Sequence, residues 1–241
     1  ISERAPDLDF ISFQMYADLL NLPKYIEDFG FDKPYFVTEW GSVGHWEVHE
    51  TEWGAPVENT STEKASNYSK SYSRVLEPYG DQAIGNYVFL WGQKQEKTST
   101  WYGMFLASGE KTEAVDVMHH SWHGSWPENR APQISHIILD QQDAFDDVYL
   151  HAGKTYTASV NVVDSEGDDI RYLWKIRSES SSDNVGGDHE YVPAIVDGVI
   201  NIQDAVIELI APEKSGAYRL FVYAFDGNEN AAHANIPFYV K

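Results

Sequence analysis

The sequence predicts an α/β half followed by an all-β half, and three observations carry that reading. Residues 1–127 alternate apolar strand-like runs with helix-periodic stretches, while residues 128–241 alternate apolar and polar positions between turn signals. The texture changes over Trp126-Pro127-Glu128-Asn129-Arg130-Ala131-Pro132, which marks the boundary between two predicted domains. Repeated β–α units imply a parallel sheet with right-handed crossovers.

Asp9–Tyr16 (DFISFQMY) reads as the first strand and Leu19–Phe29 as the helix after it. Tyr35, Phe36 and Val37 are β-prone and uncharged, started by Pro34 and stopped by Gly41, so Tyr35–Glu39 reads as a strand buried on both faces. A long Trp-rich loop follows. Ser61 or Thr62 then caps a helix running to about Leu76, opened by Glu63 and Lys64, with Tyr68, Tyr72, Val75 and Leu76 on one apolar face. Ile84–Trp91 (IGNYVFLW) is the third strand and Thr112–Trp122 the third helix. Three such units cannot close a barrel; they fit the last three of the eight in a TIM (β/α)8 barrel, whose remainder would lie upstream of Ile1. The chain begins without Met or a signal-like segment, as a processed or truncated piece would.

In the second half, Ile134–Leu139, Thr155–Val163, Ile170–Ile176, Ala205–Ile210, Tyr218–Phe225 and Ala234–Val240 suit antiparallel strands, punctuated by Gly167, Gly187, Gly198, Gly216 and Gly227. The expected result is a β-sandwich, with Trp174 placed to fill its core as a Trp does in immunoglobulin-like domains.

Composition narrows the function. With 241 residues and 42% hydrophobic content the chain can bury real cores. A net charge of -21 leaves no basic face for nucleic acid, and an anionic membrane would repel it. There is no cysteine, so neither disulfides nor thiolate metal sites contribute. No apolar run approaches the roughly 20 residues of a membrane span.

The candidate chemistry centres on Glu39, a carboxylate at the exit of an apolar strand and bracketed by aromatics. A glutamate there is either desolvated, with its pKa pushed up, or positioned for work; the alternative is an exposed loop acid beside a structural Trp. Seven of the eight tryptophans precede Pro127, and Trp40, Trp46, Trp53, Trp91 and Trp101 fall at strand ends or in loops. Sugar rings present C–H patches rimmed by hydroxyls, so sites for them combine flat aromatic platforms with carboxylates and amides. Gln14, Asn86 and Gln93 supply candidate amides and Tyr16 a phenol. Packing of the loops alone would use the same aromatics.

Three stretches together resemble the C-terminal part of the barrel of retaining glycoside hydrolases of clan A, most closely family 2. DFISFQMY resembles the sixth strand with its terminal Tyr, and KPYFVTEWG the seventh strand with its nucleophile. IGNYVFLW, followed by Trp101-Tyr102-Gly103-Met104-Phe105 and Ser108–Ala114, resembles the eighth strand, the return after it and the last helix. The resemblance implies that Glu39 is the nucleophile, that Tyr16 supports it by a hydrogen bond, and that Trp91 is the platform under the sugar. Trp40, Trp46, Trp101, Gln14 and Gln93 would complete the substrate site, although Gln14 stands where such families often carry Asn. A retaining mechanism needs a second carboxylic acid about 5–5.5 Å from the first. In this clan it follows the fourth strand in an Asn-Glu pair, and no such pair precedes Glu39. The acid/base is therefore expected upstream of Ile1; a degenerate barrel that binds sugar without cutting it is the alternative.

His45 and His49, four apart, would share a face as metal ligands on a helix, but Gly44 and Gly54 flank a segment that reads as a substrate-facing loop, so no metal is expected there. His119, His120 and His123 cluster at the end of the last helix, where imidazolium suits the dipole. In the second half, Asp164, Glu166, Asp168 and Asp226 gather hard oxygen donors in turns, the chemistry calcium asks for, though acidic turns are also simply good turns. The strands around them resemble PKD-like and related immunoglobulin-like modules of secreted polysaccharide enzymes, which implies a secreted or periplasmic setting. The expected function is retaining hydrolysis of a β-linked glycan by a glycosidase of polysaccharide degradation; the alternatives are a noncatalytic glycan-binding or adhesion module, and a scaffold with its tryptophans packed away.

Overall fold

A computed structural model describes residues 5–79, 81–182, 186, 189–200 and 204–241; Gly187 lies outside them. The first strands and helices are β1 (Ile11–Gln14), α1 (Leu22–Asp28), β2 (Tyr35–Gly41), α2 (Ser61–Ser71), β3 (Ala83–Phe89) and α3 (Glu113–His123). Pro23 sits in the first turn of α1, where its missing N–H costs nothing, and a 3₁₀ turn over Ala17–Asn21 precedes it. Neither Ser61 nor Thr62 caps α2: Thr60 does, accepting from the Glu63 N–H while the Glu63 side chain accepts from the Thr60 N–H. The helix ends at Ser71 and continues to Leu76 as a wider π-type turn. Gly124, at φ 75°, closes α3 in the left-handed conformation that glycine favours.

β1, β2 and β3 pair in parallel in that order, leaving β1 and β3 as open edges. The expected TIM barrel is therefore corrected to a three-stranded open sheet. The described chain is predominantly β with three short α-helices, so the predicted α/β class for the first half is corrected with it. β–α alternation dictates parallel pairing between neighbours, but closure depends on tilt and shear shared by a full ring of strands. One face of the sheet is packed: Tyr35, Val37 and Trp40 meet Ala65 and Tyr68 of α2 and Ala114 and Met118 of α3. Gly41 permits the closest approach between β2 and β3, because a Cβ there would lie 2.1 Å from the Phe89 carbonyl oxygen.

Then come β4 (Gln133–Ile134), β5 (Ile138–Leu139), β6 (Tyr149–Leu150), β7 (Thr155–Ser159), β8 (Val162–Val163) and β9 (Arg171–Ser178). β10 (Ile195–Val196), β11 (Val199–Ile200), β12 (Val206–Ile210), β13 (Gly216–Phe225) and β14 (Ala231–Val240) complete the chain. One sheet runs β10-β9-β13-β14-β6 and the other β11-β12-β7-β5. Their inner faces share one core, in which Trp174, Ile176, Leu220 and Val222 meet Ala158, Ile207 and Leu209. The Trp174 indole N–H is satisfied by the Asp204 carbonyl at 2.9 Å.

The two halves meet through buried polar groups. Glu58 accepts from Lys64, from Thr98 and from Asn235 Nδ2 at 2.6 Å. Burial alone would raise the Glu58 pKa, but the charge of Lys64 and these hydrogen bonds pull it down to about 2. Arg219, 1% exposed, donates to Glu179, to Asn235 Oδ1 at 2.7 Å and to the Pro56 carbonyl at 2.8 Å. No helix among the described residues is long and apolar enough to cross a membrane.

Candidate functional site

The ends of β1 and β2 place two predicted residues in direct contact. Gln14 is the partner of Glu39 in the ladder, and the Met15 N–H donates to the Glu39 carbonyl at 3.0 Å, so the chain leaving β1 carries Tyr16 over the Glu39 side chain. The Tyr16 phenol donates to Glu39 Oε1. No other donor among the described residues reaches that carboxylate, which leaves Oε2 available. Burial and the neighbouring carboxylate both push the Tyr16 pKa far up, so the phenol keeps its proton and stays a donor. The ladder shifts register between Val37 and Trp40. Strict alternation from Tyr35 and Val37 would bury Glu39; the shift gives the core position to Trp40 and leaves Glu39 half-buried at the sheet end.

Aromatic rings wall this pair. Around Tyr16 stand Trp46 at 5.6 Å, Tyr102 at 5.6 Å and Phe89 at 6.2 Å between ring centroids. Trp46 is 51% exposed and forms the rim. Glu47 holds that rim to the strand end, since its Oε2 accepts from the Ala17 N–H at 3.1 Å and the Gly44 N–H at 2.8 Å. Below Trp46, buried His45 lies 3.4 Å from Glu96, and its backbone N–H donates to the Tyr102 oxygen at 3.2 Å. Burial would raise the Glu96 pKa, but His45 and Lys94 hold it below the usual carboxylate range.

The remaining predicted residues separate. Trp40 and Trp101 are 0% and 1% exposed, with their indole N–H groups bound to Asn86 Oδ1 and the Val43 carbonyl, so neither offers a face to a ligand. Trp91 is exposed, but its ring neighbours are Phe105 and Trp122, not Tyr16. Gln14 is exposed at the strand end. Gln93 donates to the Ser99 carbonyl at 3.0 Å and lines a separate cavity of about 270 Å³ with Lys175 and Tyr223. Phe89 and Tyr102, which no sequence signal marks, complete the wall around Tyr16. Tyr102 follows Trp101 directly, and it is the smaller ring of the two that faces the site.

The segment carrying His45 and His49 is not helical, and the two do not form a shared ligand face. Only its beginning serves the site: further along, Trp53 packs on Tyr149 and Tyr239, and Val57 joins the sandwich core. At the end of α3, His120 stacks on Trp126 at 4.3 Å and His119 Nδ1 lies 2.9 Å from the Ser125 carbonyl oxygen.

No protein-family model matches the chain, and no curated protein matches it. Among solved structures it is similar to a nucleoside hydrolase-related hypothetical protein from Saccharophagus degradans that is associated with carbohydrate metabolism. That likeness has 17% identity over 52% of this chain and 29% of the other, with a TM-score of 0.34. The soluble domain of PmoD from a Methylocystis species gives 11% identity over 48% of this chain and 95% of the other, TM-score 0.28. The PKD domain of an M14-like peptidase from a Thermoplasmatales archaeon gives 14% over 46% and 92%, TM-score 0.26. All three scores lie below 0.5, and none of these likenesses defines a fold or function for this chain.

Proposed function

We propose that this chain carries the nucleophile half of a retaining glycosidase site for a β-linked glycan. The observation that carries the reading is the Tyr16–Glu39 hydrogen bond at the mouth of β1 and β2, walled by Trp46, Phe89 and Tyr102. The resemblance of KPYFVTEWG to family 2 glycoside hydrolases supports the same role for Glu39.

Glu39 Oε2 attacks the anomeric carbon as the bond to the leaving oxygen breaks, and a carboxylic acid gives that oxygen its proton. Water then displaces the glycosyl group from Glu39, with the same acid, now a base, taking the water's proton. Tyr16 holds Oε1, so the attacking oxygen is aimed and the carboxylate released in the second step is stabilised. The half-exposed Trp46 offers the sugar an apolar face.

The proton donor must have a pKa raised toward the working pH. Burial raises Glu113 and Asp116, but these are bound to Gln133 and to the Ala131 N–H, away from Tyr16. Glu96 is held low. We propose that the acid is a group outside the described residues. The exposed Trp46 beside the Tyr16–Glu39 pair also suits a second reading, in which the site binds glycan without cleaving it.

Azide separates the two. Glu39→Gly should abolish hydrolysis of aryl β-glycosides, and added sodium azide should restore turnover with an α-glycosyl azide as product. Hydrolysis that survives Glu39→Gly ends the nucleophile assignment. Glycan binding with no turnover of an activated aryl β-glycoside, whose leaving group needs no proton, supports the binding reading.

A further inference from the structure

Turns at one end of the sandwich gather carboxylates from distant parts of the chain. Asp164 and Asp168 lie between β8 and β9, Asp226 lies between β13 and β14, and one oxygen from each falls within 4.8 Å of the others. None of the three is in an ion pair among the described residues. Glu166, in the same acidic turn, points away to Arg130 at 3.7 Å.

Part of this cluster is explained by turn formation. Asp164 Oδ1 accepts from the Glu166 and Asp168 N–H groups, and Asp226 Oδ1 from those of Asn228 and Asn230. Asn129 and Asn228 donate to Asp168 Oδ2 at 2.5 Å and 2.9 Å. What turn formation leaves over is Asp164 Oδ2, which is enclosed and has no hydrogen-bond partner.

A second oxygen, on the neutral side chain of a residue bonded to Asp226, is left over as well. Asn230 is 1% exposed, and its Nδ2 donates to Asp226 Oδ2 at 2.7 Å and to Asn129 Oδ1 at 2.6 Å. Asn129 in turn binds Asp168, so the Asn230 amide is seated among the carboxylates. Its Oδ1 is buried without a donor. An enclosed carboxylate oxygen and an enclosed amide oxygen are each costly when unpaired, and a cation between them removes both costs.

We propose that Asp164, Asp168, Asp226 and Asn230 Oδ1 bind a calcium ion. The donors are all oxygen, which suits a hard cation and not zinc or copper. Oxygens on opposite sides of a calcium ion stand about 4.6–5.2 Å apart, which accommodates the observed grouping. The ion would tie two turns together at the junction of the two halves, where Lys111, before α3, exchanges backbone hydrogen bonds with Glu229 and Ala231 beside the site.

The test is titration of CaCl2 into the chelator-stripped full chain by calorimetry, with thermal melts alongside. One saturable site per chain is expected, with a higher melting temperature at saturation and binding weakened roughly tenfold or more by Asp164→Asn or Asp168→Asn. Exposed Asp169→Asn, one residue along, should bind as the unaltered chain does. Absence of saturable binding by the unaltered chain up to millimolar CaCl2 overturns the proposal without reference to any variant. Binding that Asp164→Asn and Asp168→Asn leave unchanged, in variants shown folded by near-ultraviolet circular dichroism, overturns it as well.

Discussion

The Tyr16 phenol donates its hydrogen bond to Glu39 across the ends of two adjacent parallel strands, fixing one carboxylate oxygen and leaving the other free. A hydrogen bond to a charged acceptor is worth about 1.5–3 kcal/mol. Tyr16→Phe should therefore lower kcat/KM on an aryl β-glycoside by roughly 10–100-fold. Steady-state kinetics check this, and a change within twofold would remove Tyr16 from the site.

Two neighbouring tryptophans should behave in opposite ways. Trp40 is fully buried, so Trp40→Ala should cost about 3–5 kcal/mol of stability. Trp46 is half exposed, so Trp46→Ala should change stability by only about 0.5 kcal/mol while weakening glycan binding. Urea unfolding and affinity electrophoresis on polysaccharide gels read the two effects separately.

The Glu58–Lys64 pair lies where the halves meet, with both side chains almost fully buried. Removing one partner leaves an uncompensated buried charge, so Lys64→Met should destabilise by about 3–5 kcal/mol. The double variant Glu58→Gln with Lys64→Met should recover much of that loss. Chemical denaturation of the two single variants and the double variant completes the cycle.

Acid should weaken the same junction. Burial, and next the Lys64 charge, lower the His233 pKa to about 3, whereas the unfolded chain titrates this group near its ordinary value of about 6.5. Between those values the unfolded state binds a proton the folded state refuses, so stability falls as pH drops through that window. Glu58, held at about 2, acts in the same direction below its ordinary range of about 4.3: its contribution is present above that range and is lost as pH falls through 2. His233→Gln should flatten the loss between about pH 6.5 and pH 4, on the order of 3 kcal/mol. Urea midpoints across that range show whether it does.

Local signals were legible in the sequence where a few neighbouring residues decide the outcome. Pro34 precedes β2 and Gly41 ends it, and Tyr16 and Glu39 could be paired because both stand at the ends of adjacent strands. What failed depended on distant parts of the chain. Barrel closure could not be inferred from three β–α units, and the structure holds an open sheet. The register shift that buries Trp40 and spares Glu39 is a property of two strands together. Tyr102 reaches Tyr16 through a loop that folds back on the end of β3, with the Leu90 N–H donating to the Tyr102 carbonyl at 3.1 Å. Asp226 and Asn230 share one turn in the sequence, but that this turn meets the turn before β9 is a contact that acidic composition does not announce.

Covalent trapping tests the role of Glu39 without requiring a proton donor. In dinitrophenyl 2-deoxy-2-fluoro-β-glycosides the leaving group departs as a stable anion, so the nucleophile alone decides whether the first step occurs. Across a panel of such sugars, intact mass and peptide mapping should find one glycosyl adduct on the peptide carrying Glu39, absent from Glu39→Gln. An adduct on a different residue, or none from any sugar in the panel, would contradict a nucleophilic Glu39.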